Sequence, residues 1–119
     1  MTTFQTYGLW ALKCLAGAAF LAAGLAKLAG AAMMVATFDA IGVGQWFRYL
    51  TGAIEVAGAV LLFVPGLQAL GAGALAATMV GAILAHLLVL GPSALPAAVL
   101  LAVTATILRA HRAQLPGRG

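Results

Sequence analysis

Lys27, Glu55 and His86 stand one apiece in three separate apolar stretches, each long enough or nearly long enough to cross a bilayer. A charge in hydrocarbon costs from about 3 to more than 10 kcal/mol, so such a residue must face a partner, a cavity or water. A carboxylate and an ammonium at matched depth can pair with each other or engage the polar head of a ligand, and Glu55 or His86 could donate or accept a proton. Gln45 and Arg48 precede the Glu55 stretch and hang over the same region. The candidate ligand-binding residues are therefore Lys27, Glu55, His86, Arg48 and Gln45, with Glu55 and His86 as candidate catalytic groups.

The elements that must position them follow from composition. Of 119 residues, 65% are hydrophobic and 7% are charged. A soluble domain is about 45–50% apolar and about 25% charged, so the chain is expected to be an integral membrane protein. A spanning helix needs roughly 20 mainly apolar residues, which allows four spans and almost no extramembrane domain. The expected fold is an all-α membrane protein, a single four-helix transmembrane domain over 1–119, with spans near 9–30, 47–64, 67–90 and 95–110. Pro65-Gly66 and Gly91-Pro92 read as stops after the second and third spans. Within the long 30–46 connection, Ala31 to Phe38 is apolar enough for a short interfacial or re-entrant helix, which Gly42-Val43-Gly44 breaks. Trp46, Phe47 and Tyr49 beside Arg48 read as an interfacial aromatic belt. Met1 to Tyr7 carries no basic residue, and the stretch after it is too long for a signal peptide.

Four spans place both termini on one side, with Lys13, Arg109, Arg112 and Arg118, against Lys27 and Arg48 on the other. The positive-inside rule then puts both termini in the cytoplasm, in a cytoplasmic (inner) membrane. The net charge of +4 comes from basic residues too few and scattered for nucleic acid, and His111 reads as facing headgroups. Cys14 is the single cysteine, which removes an intramolecular disulfide or a redox pair, and it is expected to be buried and apolar. The two His residues fall on opposite faces, so neither a shared metal site nor bis-His haem is expected.

Helical spacing sorts the candidates onto faces. Lys13, Gly17, Phe20, Gly24 and Lys27 share one stripe of span one. Arg48, Thr51, Gly52, Glu55, Gly58, Ala59 and Leu62 share one stripe of span two. His86 lies above Ala82 and Met79 on span three. Gly73, Ala77, Gly81 and Ala85, and likewise Ala18, Ala22 and Ala26, form small-residue ridges suited to helix packing or self-association. At about 1.5 Å rise per residue, Lys27 lies roughly 5 Å, Glu55 roughly 12 Å and His86 roughly 6 Å from the outer ends of their spans. Lys27 and Glu55 can meet if their faces converge. Plainer roles stay open: Lys27 snorkelling to the interface, Glu55 in a structural ion pair, His86 hydrogen-bonded at a helix end, Arg48 as anchor or Glu55 partner, and Asp39 as a solvated or capping residue.

Phe38-x-x-Ile41-Gly42, Gln45-Trp46-Phe47-Arg48, Gly52-x-x-Glu55-x-x-Gly58-Ala59, Leu61-Leu62 and Pro65 resemble the DoxX-like family of small four-helix membrane proteins. Gly24-x-x-Lys27-Leu28 upstream, and Met79-Val80-Gly81-Ala82 with His86 downstream, resemble its first and third helices. The resemblance implies a four-helix bundle with inward polar residues. It also implies a link to an oxidoreductase system, since the family's name comes from a small subunit of a thiosulfate:quinone oxidoreductase.

Three function classes follow. The leading one binds a small amphiphile, such as a quinone or another lipid-like molecule, without covalent attachment. Lys27, Glu55 and His86 would hold its head in an outer-half pocket, and Phe20, Leu62 and Met79 would line the apolar part. The same site could serve quinone-linked oxidation beside a redox partner subunit. The alternative is a structural or assembly subunit, alone or as a homo-oligomer, whose Lys-Glu-His cluster is internal packing glue. A small transporter ranks last, because Lys27 would repel cationic substrates.

Overall fold

The structure, a computed structural model, describes residues 2–91 and 94–115. Met1, Pro92 of the expected stop after span three and Arg118 of the charge-asymmetry argument lie outside them. The described residues form five α-helices and no strand.

Helix α1 runs Thr3–Ala29. The Thr2 hydroxyl accepts from the Gln5 N–H, and the Gln5 side chain accepts from the Thr2 N–H. This reciprocal cap starts the helix ahead of the expected Leu9, because capping groups rather than hydrophobicity set where a helix begins. Gly30, at φ 75°, closes it in the left-handed conformation. The short helix expected in the long connection is α2, Ala32–Ile41. Its Phe38 is buried and packs against Phe47, with ring centroids 5.9 Å apart and the rings tilted by 60°.

Helix α3 spans Gln45–Leu61, and the turn through Pro65-Gly66 leads to α4, Gln68–Ala85. Helix α4 continues as a π-helical turn over His86–Leu90 before Gly91. Helix α5 covers Leu95–Ala110, and a 3₁₀ turn follows at Arg112–Gln114. Two helical stretches, Thr3–Ala29 and Gln68–Leu90, are long and apolar enough to cross a membrane. Helices α3 and α5 are shorter, at 17 and 16 residues.

Helix α1 packs on α3, α3 on α4, α4 on α5, and α5 returns to α1. Phe20, Leu62, Leu75, Met79 and Ile107 fill the centre of this cycle together with Ala16, Ala59, Ala72 and Ala97. Close approaches make the packing tight. A Cβ on Gly58 would lie 2.8 Å from the Leu75 side chain, and one on Gly71 would lie 2.8 Å from the Gly58 carbonyl oxygen.

The expected stripes face inward. Lys13, Gly17, Phe20 and Gly24 are buried on α1, and Arg48, Gly52, Glu55, Gly58 and Ala59 on α3. The small-residue ridges take only a marginal part in this packing. Ala18, Ala22, Ala77 and Gly81 are exposed, and a Cβ on Gly81 would meet nothing within 4 Å, while Ala26, Gly73 and Ala85 are half-buried. The internal contacts of α4 go instead through Ala69, Gly71, Ala72, Leu75 and Met79. Cys14 is exposed rather than buried, because it sits one residue past Lys13 and therefore off the buried stripe.

Candidate functional site

Each site residue is held by a local feature of its helix. Lys27 lies in the last turn of α1, and Glu55 lies midway along α3. What brings them together is the crossing of Gly24 with Gly52. A Cβ on Gly24 would sit 2.8 Å from the Gly52 carbonyl oxygen, and one on Gly52 would sit 2.9 Å from Lys27 Cβ and 3.0 Å from the Gly24 carbonyl oxygen. With no side chain at either position the backbones touch, and the next inward residues on each helix meet.

They meet as an ion pair. Lys27 Nζ is 2.7 Å from Glu55 Oε1, and the Glu55 side chain is only 2% exposed. The ammonium is the donor to Oε1, and no second donor among the described residues reaches that oxygen. A buried pair of this kind is close to neutral in net stability, while removing one partner strands the other at a cost of about 3–5 kcal/mol.

Arg48 does not partner Glu55. It is buried, and its Nη1 donates to the Lys27 carbonyl oxygen at the end of α1. This places a cation at the negative end of that helix. Its Nε donates to Gln45 Oε1 at 2.6 Å, and Gln45 Nε2 donates to Asp39 Oδ1 at 2.8 Å and to the Val35 carbonyl at 3.1 Å. The relay ties α1, α2 and α3 at one end of the bundle. Asp39 is thus an acceptor for α3 as well as an exposed residue of α2. Of the expected belt, Trp46 and Tyr49 are more than half exposed beside it, while Phe47 is half-buried against Phe38.

His86 is half-buried where α4 passes into its π turn, and α2 packs against that turn. Phe20, Leu62 and Met79, expected to line the apolar part of a pocket, are packed core residues at 1%, 0% and 6% exposure. Two cavities stand out. The larger, about 620 Å³, lies between the start of α1 and the end of α5. The smaller, about 230 Å³, lies between α1 and α3 beside Phe63. Neither is lined by Lys27, Glu55, His86, Arg48 or Gln45.

A second polar cluster was missed by sequence reasoning. Lys13, expected as a topology marker, is 2% exposed. Its Nζ lies 4.0 Å from the centroid of the Trp10 ring and 3.5 Å from His111 Nε2. An ammonium can only donate, so His111 Nε2 accepts and the imidazole is neutral in this contact. Burial pushes the His111 pKa below its usual value, and the Lys13 charge pushes it further the same way. His111 therefore turns inward rather than toward headgroups. Gln114 beside it donates to Gln68 Oε1 at 2.6 Å and accepts from the Ala69 N–H at 2.8 Å, pinning the 3₁₀ turn to α4. The legible signal was present: Lys13 shares the stripe of Gly17, Phe20, Gly24 and Lys27, all on the inward face.

No curated protein and no solved structure matches the chain. A family model described as the DoxX-like family matches residues 11–108, which take in all of this geometry except the outermost turns. That match spans most of the 119 residues and includes Lys27, Glu55 and His86, and the chain belongs to the DoxX-like family.

Proposed function

We propose that the chain is a four-span inner-membrane module that binds a small amphiphile of the quinone or lipid-like class at the Lys27–Glu55 end. The observation that carries this reading is the buried Lys27–Glu55 pair, in which Glu55 Oε1 meets the Lys27 ammonium at 2.7 Å and no second donor among the described residues. A hydroxyl on a ligand head would donate to the carboxylate beside the ammonium, and a carbonyl would accept from the Lys27 ammonium. The 12% exposure of the Lys27 side chain supports a route to the pair from the surface. His86, Arg48 and Gln45 extend the polar end, and π-helical turns like the one His86 opens are frequent at functional sites. Helices α3 and α5, at roughly 26 and 24 Å, cross as the second and fourth spans beside α1 and α4. Cytoplasmic termini follow from the excess of basic residues at that end. Work on a quinone, if it occurs, would need a redox partner subunit to supply electrons, with Glu55 or His86 passing the proton.

A structural reading is favoured by one specific observation. The Gly24–Gly52 crossing brings the two backbones together beside the pair, as internal glue would require. In that case the exposed Ala77 and Gly81 ridge would serve self-association.

The test is to purify wild type and a folded Glu55→Gln variant in mild detergent and identify co-purifying small molecules by mass spectrometry. A specific amphiphile present with wild type and lost from the variant is expected. Ordinary lipid with both would overturn the binding reading in favour of the structural one.

A further inference from the structure

The chain's acidic side chains stand together at one end. Asp and Glu total two, Asp39 and Glu55, and each is engaged there, by Gln45 and Lys27. The opposite end carries Lys13, Arg109 and Arg112, with no carboxylate side chain among the described residues there. Arg109 and Arg112 are exposed and form no ion pair among the described residues, and Arg112 Nη1 lies 3.5 Å from the Arg109 carbonyl oxygen.

These two arginines line the larger cavity, the groove of about 620 Å³ between α1 and α5. Binding sites for small molecules span about 300–1,000 Å³, so the groove is of ligand size. Its chemistry has two zones. Gln5, Arg109 and Arg112 supply donors at the outer end, while Leu9, Leu12 and Thr106 continue it along the helices. Leu9 and Leu12 are each only partly covered by the protein, so the apolar zone has room for another apolar occupant. Guanidinium groups match phosphate in charge and in bidentate geometry, and basic grooves between helices at the cytoplasmic leaflet suit anionic headgroups.

We infer that this groove binds an anionic phospholipid, with the phosphate held by Arg109 and Arg112 and an acyl chain laid along Leu9 and Leu12. The inference rests on the bilayer setting proposed above and not on the Lys27–Glu55 site. Phosphate is the shared chemistry of a lipid headgroup and a free anion, and the apolar floor assigns the lipid.

The experiment reconstitutes the full chain in bilayers of equal phosphatidylglycerol and phosphatidylcholine and counts retained lipid by native mass spectrometry. Wild type should retain phosphatidylglycerol over phosphatidylcholine by about thirtyfold, the ratio expected for two arginines at an anionic headgroup. Arg109→Gln/Arg112→Gln should fall to parity with its helix content unchanged, and the exposed Gly81→Ala should keep the preference. A wild type without preference, or a double variant that keeps it, overturns the inference. Displacement of phosphatidylglycerol by an equal concentration of inorganic phosphate overturns the lipid assignment in favour of a free-anion site. A chain that fails to float with these vesicles overturns the bilayer setting as well, which separates the two failures.

Discussion

The two ends of the bundle solve the same problem differently. Lys13 and Lys27 lie on one stripe of α1, roughly 21 Å apart along the helix at about 1.5 Å per residue. Lys27 meets a carboxylate at 2.7 Å and sits under an arginine that closes its helix. Lys13 is more deeply buried, at 2% exposure, yet faces a neutral imidazole and the face of Trp10. One lysine is held by an opposite charge that would be stranded without it. The other is held by soft, neutral partners that lose little in its absence. Burial alone therefore does not rank these residues; what remains after removal does.

That difference is open to direct attack, beginning with the Lys27 pair. Lys27→Met should lower unfolding stability in mild detergent by about 3–5 kcal/mol, because it leaves Glu55 buried and charged. The double change Lys27→Met/Glu55→Leu should recover most of that loss. A single variant no worse than the double would show that the pair does not lock α1 to α3. Gly52→Ala comes next, at about 1–3 kcal/mol, since its Cβ would press on Lys27 Cβ and the Gly24 carbonyl and force the helices apart. Thermal unfolding of that variant, beside the exposed Gly81→Ala as control, checks it.

At the other end the effects shrink. Lys13→Met should shift stability by less than about 1 kcal/mol, the scale of a cation–aromatic contact, with no counter-charge left behind. A loss as large as that of Lys27→Met would mean that the Lys13 end is also a lock.

The smallest expected effect is a pH slope at His111. Its folded pKa lies below the unfolded value of about 6.5, so the unfolded state binds more protons around that pH. Its contribution to stability is then present above about pH 6.5 and is lost as pH falls through the folded pKa. His111→Gln should flatten the stability profile below neutrality. An unchanged slope would remove His111 as its source.

Much of this was legible from residue order. The inward stripes of α1 and α3 follow from helical period, and they placed Lys27, Gly24, Gly52 and Glu55 on the buried faces before any contact was known. The short α2 was readable as an apolar run closed by glycines. Other readings failed for identifiable reasons. The α4 ridge of Gly73, Ala77, Gly81 and Ala85 has the same four-residue spacing as the packed face, so period alone could not say which of two small-residue stripes turns inward. Cys14 was assigned by its residue type, which carries no information about face. Lys13 reads as a flank charge because a lysine near the start of a span usually marks topology, and residue order alone does not decide between that role and the inward stripe it shares.

Composition and period by themselves determined an all-helical chain suited to a bilayer, the extents of its helices to within a few turns, and the faces that carry charge. Tertiary structure decided which charges meet. The Gly24–Gly52 crossing sets how close α1 and α3 lie, and only that distance turns Lys27 and Glu55 from neighbours in depth into an ion pair. It also took Arg48 to the end of α1 and brought His111 back to Lys13 across 98 positions of chain. Residue order specifies the direction a side chain takes from its own helix, but a contact between helices depends on the angle and separation of two axes, which packing sets for the bundle as a whole.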